Sequence, residues 1–157
     1  MVENLCSAEH RQAILLKLPQ KPPFLYLDQI LELSHEHIVA EYRFKQDEFF
    51  YAGHFPGDPV TPGVILVEAM AQAGLVALGI HLLELERPGV KLRTMFTDCA
   101  VDFAHAVLPG DKVTITGQKL FFRRNKIQSK VELKLENGIV AAHGVVSGLG
   151  VIVENDK

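Results

Sequence analysis

Three residue types in this chain can do acid–base chemistry together: a histidine, an isolated carboxylate and a glycine at a helix start. In Gly53-His54-Phe55-Pro56-Gly57 the histidine sits on a backbone whose shape two glycines and a proline restrict. Neutral imidazole has a pKa near working pH and is a natural proton acceptor. Further on, Glu68 is the single Asp, Glu, Lys or Arg between Asp58 and Glu84. A carboxylate in such an apolar stretch costs roughly several kcal/mol unless it is compensated. Its apolar surroundings raise its pKa, so it can keep a proton near neutral pH and serve as a general acid. Gly63 follows Pro62 in a first helical turn, where an unpaired backbone N–H can polarise a carbonyl and stabilise an enolate. Each has a plainer reading beside this one. His54 can be a loop histidine bonded to a backbone carbonyl, Glu68 half of a structural ion pair, and Gly63 a small residue near a cap.

These groups need elements to hold them. Thr61 suits a cap and Pro62 the first helical position, which predicts a helix over 61–83. It is apolar nearly all the way round, so it is buried on several sides. Its length also suffices for a membrane span, but Pro62-Gly63 at its start, Gly74 and Gly79 inside and Glu68 near its centre favour a buried helix. A shorter N-terminal helix is expected over 7–18, within an N-terminal segment 1–18, capped by Ser7 and ended by Pro19. Strands are expected over 24–33, 38–44, 92–103, 112–123, 127–135 and 139–153, with Asn137-Gly138 turning between the last two. The class is α+β: an antiparallel sheet wrapped around one long central helix, with a free strand edge open to dimer pairing.

With 157 residues, 48% hydrophobic and 22% charged, the chain suits one domain spanning 1–157. A net charge of −3 excludes a generally basic nucleic-acid surface, although Lys119, Arg123, Arg124, Lys126 and Lys130 cluster around a hairpin. Cys6 and Cys99 form no CxxC, and residues 1–17 carry no hydrophobic signal core, so a reduced, cytoplasmic setting is expected. His35 and His37 lie two apart, yet no third ligand follows at a recognisable spacing. A solvated turn accounts for them, and no metal or organic cofactor is expected.

The run from Gly53 through Gly57-Asp58-Pro59-Val60-Thr61-Pro62-Gly63-Val64, followed by Glu68-Ala69-Met70-Ala71-Gln72, resembles the signature of the FabZ-type 3-hydroxyacyl-[acyl carrier protein] dehydratases. The likeness extends upstream to Pro23-Phe24-Leu25 and Asp28, and downstream to Val107-Leu108-Pro109-Gly110-Asp111. It implies a hot-dog fold and a homodimer with active sites at its interface, assembled further into a hexamer as a trimer of dimers. It implies that His54 and Glu68 are a catalytic pair from opposite subunits, and that Gly63 N–H meets the thioester carbonyl. Phe55, Pro62, Val64 and Gln72 become candidates for the acyl tunnel. The implied partner is an acyl carrier protein bearing a 3-hydroxyacyl chain, with no cofactor. The chain has no Trp, which the related dehydratase/isomerase branch carries in this helix, and that favours dehydration alone. His105-Ala106 stands where the family commonly has a basic pair. Two other readings stay open: a thioesterase on the same fold, and a non-catalytic acyl-binding subunit.

Overall fold

A computed structural model describes residues 4–153. Ser7 caps the first helix, α1 (Ala8–Lys17), by accepting the His10 N–H at 3.2 Å, and Ile14, Leu15 and Leu18 bury one side of it. The chain then forms β1 (Gln29–Leu33) and β2 (His37–Arg43). The central helix, α2 (Gly63–Glu86), comes next. Four long strands follow: β3 (Leu92–Phe103), β4 (Lys112–Arg123), β5 (Lys126–Leu135) and β6 (Val140–Ile152). They make one six-stranded antiparallel sheet in the order β1-β2-β4-β5-β6-β3.

Register shifts in the β1–β2, β3–β6, β4–β5 and β5–β6 pairings let the sheet bend strongly. Its inner face buries Ile38, Ala40 and Tyr42 of β2, Val113 and Ile115 of β4, and Ile127, Val131 and Leu133 of β5. That is the period-two alternation of a sheet with one covered face. The β4–β5 hairpin turns through Arg124 and Asn125, both at positive φ, as a two-residue primed turn requires.

The helix α2 fills the concave face, and its contact with the sheet is close. A Cβ on Gly74 would lie 2.8 Å from Val131 Cγ1, and one on Gly117 would lie 3.0 Å from the Gly74 Cα. Two glycines therefore let helix and strand backbones approach. Over Gln72–Ala77 the helix loosens to π geometry, and there the buried Ser129 hydroxyl donates to the Gly74 carbonyl at 2.7 Å. The helix is long and apolar enough to cross a membrane, and 67% of its most apolar window is buried within this fold. Toward its C-terminal end, burial together with His10 and His35 pushes His81 down to about 4.

The helix boundaries differ from expectation. The helix begins at Gly63 and ends at Glu86, and Pro62 occupies the N-cap position without a side-chain cap. Thr61 does not cap because its hydroxyl pairs with the Tyr51 hydroxyl at 2.7 Å. Residues 24–28 are not part of β1. Phe24 N–H closes a turn onto the Lys21 carbonyl after the Pro22-Pro23 pair, and the backbone of Phe24 and Tyr26 bonds to Gln72 instead of a strand.

Candidate active site

The loop between β2 and α2 presents His54, and its residues account for its shape. Phe55-Pro56-Gly57-Asp58 closes a tight turn in which Asp58 N–H donates to the Phe55 carbonyl at 2.9 Å. Proline suits the second position, and Gly57 takes φ 74 at the third. The His54–Phe55 peptide is cis, and the two rings stack at 4.1 Å. At the loop's end Thr61 N–H donates to the Val107 carbonyl at 2.9 Å. The Tyr51 that holds Thr61 belongs to an aromatic cluster with Phe50, Phe44, Tyr42 and Tyr26.

His54 Nδ1 lies 2.8 Å from the Val60 carbonyl oxygen. A carbonyl can only accept, so Nδ1 carries the proton and Nε2 keeps its lone pair. The backbone contact foreseen as the plainer reading is present, and it leaves Nε2 free to accept a proton.

Glu68 lies half-buried on α2. Burial pushes its carboxyl above the ordinary value, and a hydrogen bond from Gln72 Nε2 to Oε1 at 3.0 Å draws it partly back. Among the described residues no cation pairs with it. Gln72 is fully buried. Its Oε1 accepts the Tyr26 N–H at 2.8 Å and its Nε2 also donates to the Phe24 carbonyl at 2.9 Å. The amide therefore clamps Glu68 to the 24–26 segment. Its sequence signal was the i, i+4 spacing from Glu68.

Gly63 opens α2 and lines an open cleft of about 500 Å³ with Thr61, Leu66, Phe103, His105 and Val107. A Cβ at Gly63 would meet the Phe103 ring at 3.1 Å, so the end of β3 comes close to the helix start only over glycine. Phe55 and Val64 are exposed, whereas Pro62 is buried. His54 and Glu68 share no hydrogen bond among the described residues. Sequence reasoning passed over Tyr26, whose buried hydroxyl has no hydrogen-bond partner among the described residues. Burial, with Glu48 and Glu68 nearby, pushes that phenol up to about 12.

Residues 18–146 match the family model of the FabA-like domain. The chain is 36% identical over 126 residues to the 3-hydroxyacyl-[acyl-carrier-protein] dehydratase FabZ of Protochlamydia amoebophila, covering 79% of each chain. It is 37% identical over 139 residues to the FabZ of Streptococcus pneumoniae, covering 87% of this chain and 94% of that one. The chain belongs to the FabZ family of dehydratases. Solved structures show how widely the FabZ-family fold is shared. The dehydratase heterocomplex ApeI:P from Xenorhabdus doucetiae superposes with a TM-score of 0.73 at 20% identity, over 88% of this chain and 90% of that one. A hypothetical thioesterase with coenzyme A from Streptococcus pneumoniae does so at 0.60 and 14%, over 95% of this chain and 100% of that one. Proteins named as dehydratases and as thioesterases both occur on this hot-dog fold, so the reaction has to be argued from the site.

Proposed function

We propose that the chain removes water from a (3R)-3-hydroxyacyl chain carried on an acyl carrier protein, giving the trans-2-enoyl thioester in fatty acid or related acyl-chain synthesis. The observation that carries this reading is the Val60 carbonyl at His54 Nδ1, which leaves Nε2 as a fixed base. Nε2 takes the proton from C2, the Gly63 N–H stabilises the negative charge that develops on the thioester oxygen, and the C3–O bond breaks. The raised pKa of Glu68 suits it to hand its proton to the departing hydroxyl, which leaves as water. The proton on His54 then returns to Glu68, and the route uses no metal or organic cofactor.

The active unit in this reading is a homodimer, with His54 of one protomer facing Glu68 of the other and a trimer of dimers as the further assembly. Support comes from β3, which among the described residues pairs only with β6 and exposes Met95, Phe96 and Phe103. Phe55, Pro62 and Val64 border the acyl path in this assembly, and Gln72 holds Glu68 from behind. The setting is cytoplasmic.

His54→Ala and Glu68→Gln should each lower hydration of a crotonyl thioester by about 10²–10⁴-fold with the fold intact by circular dichroism. Wild-type-like hydration by either variant would sink the assignment. Release of free thiol at a comparable rate would favour the thioesterase reading, and an inert purified protein the acyl-binding one.

A further inference from the structure

Near the C-terminal end of α2, three side chains with metal-ligand atoms gather, with His35 beside them. Cys6 precedes α1, His10 lies in its first turn, His81 faces both from α2, and His35 sits in the turn between β1 and β2. His10 Nε2 is 3.0 Å from His81 Nδ1, and Cys6 Sγ is 3.7 Å from His81 Nε2. One sulfur and two nitrogen donors from Cys6, His10 and His81 lie within 4.8 Å of one another. The ring centroid of His35 is 5.6 Å from that of His81. His35 has no part in a site with its sequence neighbour His37. His37 instead engages Glu32 at 2.9 Å and the Ser34 hydroxyl at 3.1 Å.

We propose that Cys6, His10 and His81 bind one Zn²⁺ ion and that His35 closes its fourth position. Tetrahedral zinc, with sulfur at about 2.3 Å and nitrogen at about 2.0–2.1 Å, sets sulfur and nitrogen donors about 3.5 Å apart and two nitrogens about 3.3 Å apart. His81 gives the ion one nitrogen: with Nδ1 as that ligand, its 3.0 Å separation from His10 Nε2 lies near the nitrogen–nitrogen value, and rotation of the Cys6 side chain brings Sγ, now 3.7 Å from His81 Nε2, round to the same side. The mix of thiolate and imidazole suits zinc and excludes magnesium and calcium, which take oxygen ligands. Coordination displaces the thiol proton of Cys6, so one proton leaves for each ion bound.

The backbone around these ligands is already pinned. Cys6 N–H donates to the Leu33 carbonyl at 2.8 Å, and Arg11 Nη1 donates to the Cys6 carbonyl at 2.8 Å. Arg11 Nε reaches the Ile30 carbonyl at 3.1 Å, and the Ser7 cap holds the His10 backbone. His81 is 2% exposed and cannot wander. Preorganised ligands of this kind lower the ordering cost of binding. The ion would tie the N-terminal segment and the β1–β2 turn to the central helix. At 1.5 Å rise per residue the site lies about 20 Å along α2 from Glu68, so it is structural and separate from the acid–base chemistry.

The test is titration of chelator-treated full-length protein with Zn²⁺, and with Co²⁺ as an optical probe. One equivalent should bind, Tm should rise by several degrees, and Co²⁺ should show a sulfur-to-cobalt band in the near ultraviolet. Because His81 belongs to the core, the decisive variants are the peripheral Cys6→Ser and His10→Ala, checked for folding by circular dichroism. Cys6→Ser should abolish the near-ultraviolet band, and each variant should weaken zinc binding by at least about tenfold. The exposed His143→Ala should leave both unchanged. No saturable binding at one equivalent, or binding indifferent to Cys6→Ser and His10→Ala, would overturn the site. A dehydration rate that depended on zinc would overturn its structural role.

Discussion

His54 and Glu68 are prepared by neutral partners, not by ions. A backbone carbonyl selects the tautomer of the histidine, and burial with one amide sets the carboxyl. The sign of the Glu68 effect is testable. Its pKa is raised in the folded state, so the stability linked to its neutral form is fully present below 4.5 and is lost as pH rises through the folded value. Glu68→Gln is permanently neutral, so it should melt at a higher temperature than the parent at pH 7, and the gap should close below pH 4.5 in a series of thermal melts. Two tyrosines give a second contrast. Tyr26 buries a hydroxyl without a partner among the described residues, whereas the Tyr42 hydroxyl donates to Glu48 at 2.7 Å and accepts from Lys45 at 3.2 Å. Tyr26→Phe should be neutral or stabilising, and Tyr42→Phe should cost about 1–3 kcal/mol by urea denaturation.

Among the elements, α2 has to be close to the sheet at one place and free at another. At Gly74 the π segment, the Ser129 hydroxyl and Gly117 meet, and a methyl group there would press on Val131. Val131 is β-branched and cannot swing aside easily. Gly74→Ala should therefore destabilise by about 1–3 kcal/mol, even though alanine is the better helix former. A Cβ added at Gly79, on the same helix, would meet nothing within 4 Å. Gly79→Ala should be neutral or stabilise by up to about 1 kcal/mol. Equal melting shifts for the two variants would contradict this close helix–sheet contact.

At the scale of the whole molecule, the proposed division of the site between protomers makes a sharp prediction. His54→Ala and Glu68→Gln should each be inactive alone. Refolded together in equal amounts, half of the dimers are mixed, and each mixed dimer carries one site with both residues intact. Activity should then return to about a quarter of the parent value. A mixture as inactive as its components would place both residues of each site in one chain. The same assembly would pair the exposed edge of β3 with its copy, so Ala100→Pro in that strand should lower the apparent mass in sedimentation.

Local chemistry was legible wherever neighbours along the chain decide the outcome. Ser7 caps α1, and β3 and β4 span the expected residues 92–103 and 112–123. The motif around His54 and Glu68 likewise announced the family. Long-range contacts were not legible. Tyr51 draws the Thr61 hydroxyl away from capping, Gln72 takes the backbone groups that would have begun β1 at residue 24, and Ser129 and Gly117 meet α2 at Gly74, where it loosens. The proposed zinc ligands are the clearest case, because Cys6, His10, His35 and His81 share no metal-binding spacing and meet only when α1, the β1–β2 turn and α2 pack. Backbone preference acts over a few residues, whereas hydrogen-bond partners and metal ligands are chosen by distance in space, which the folded sheet and helix set.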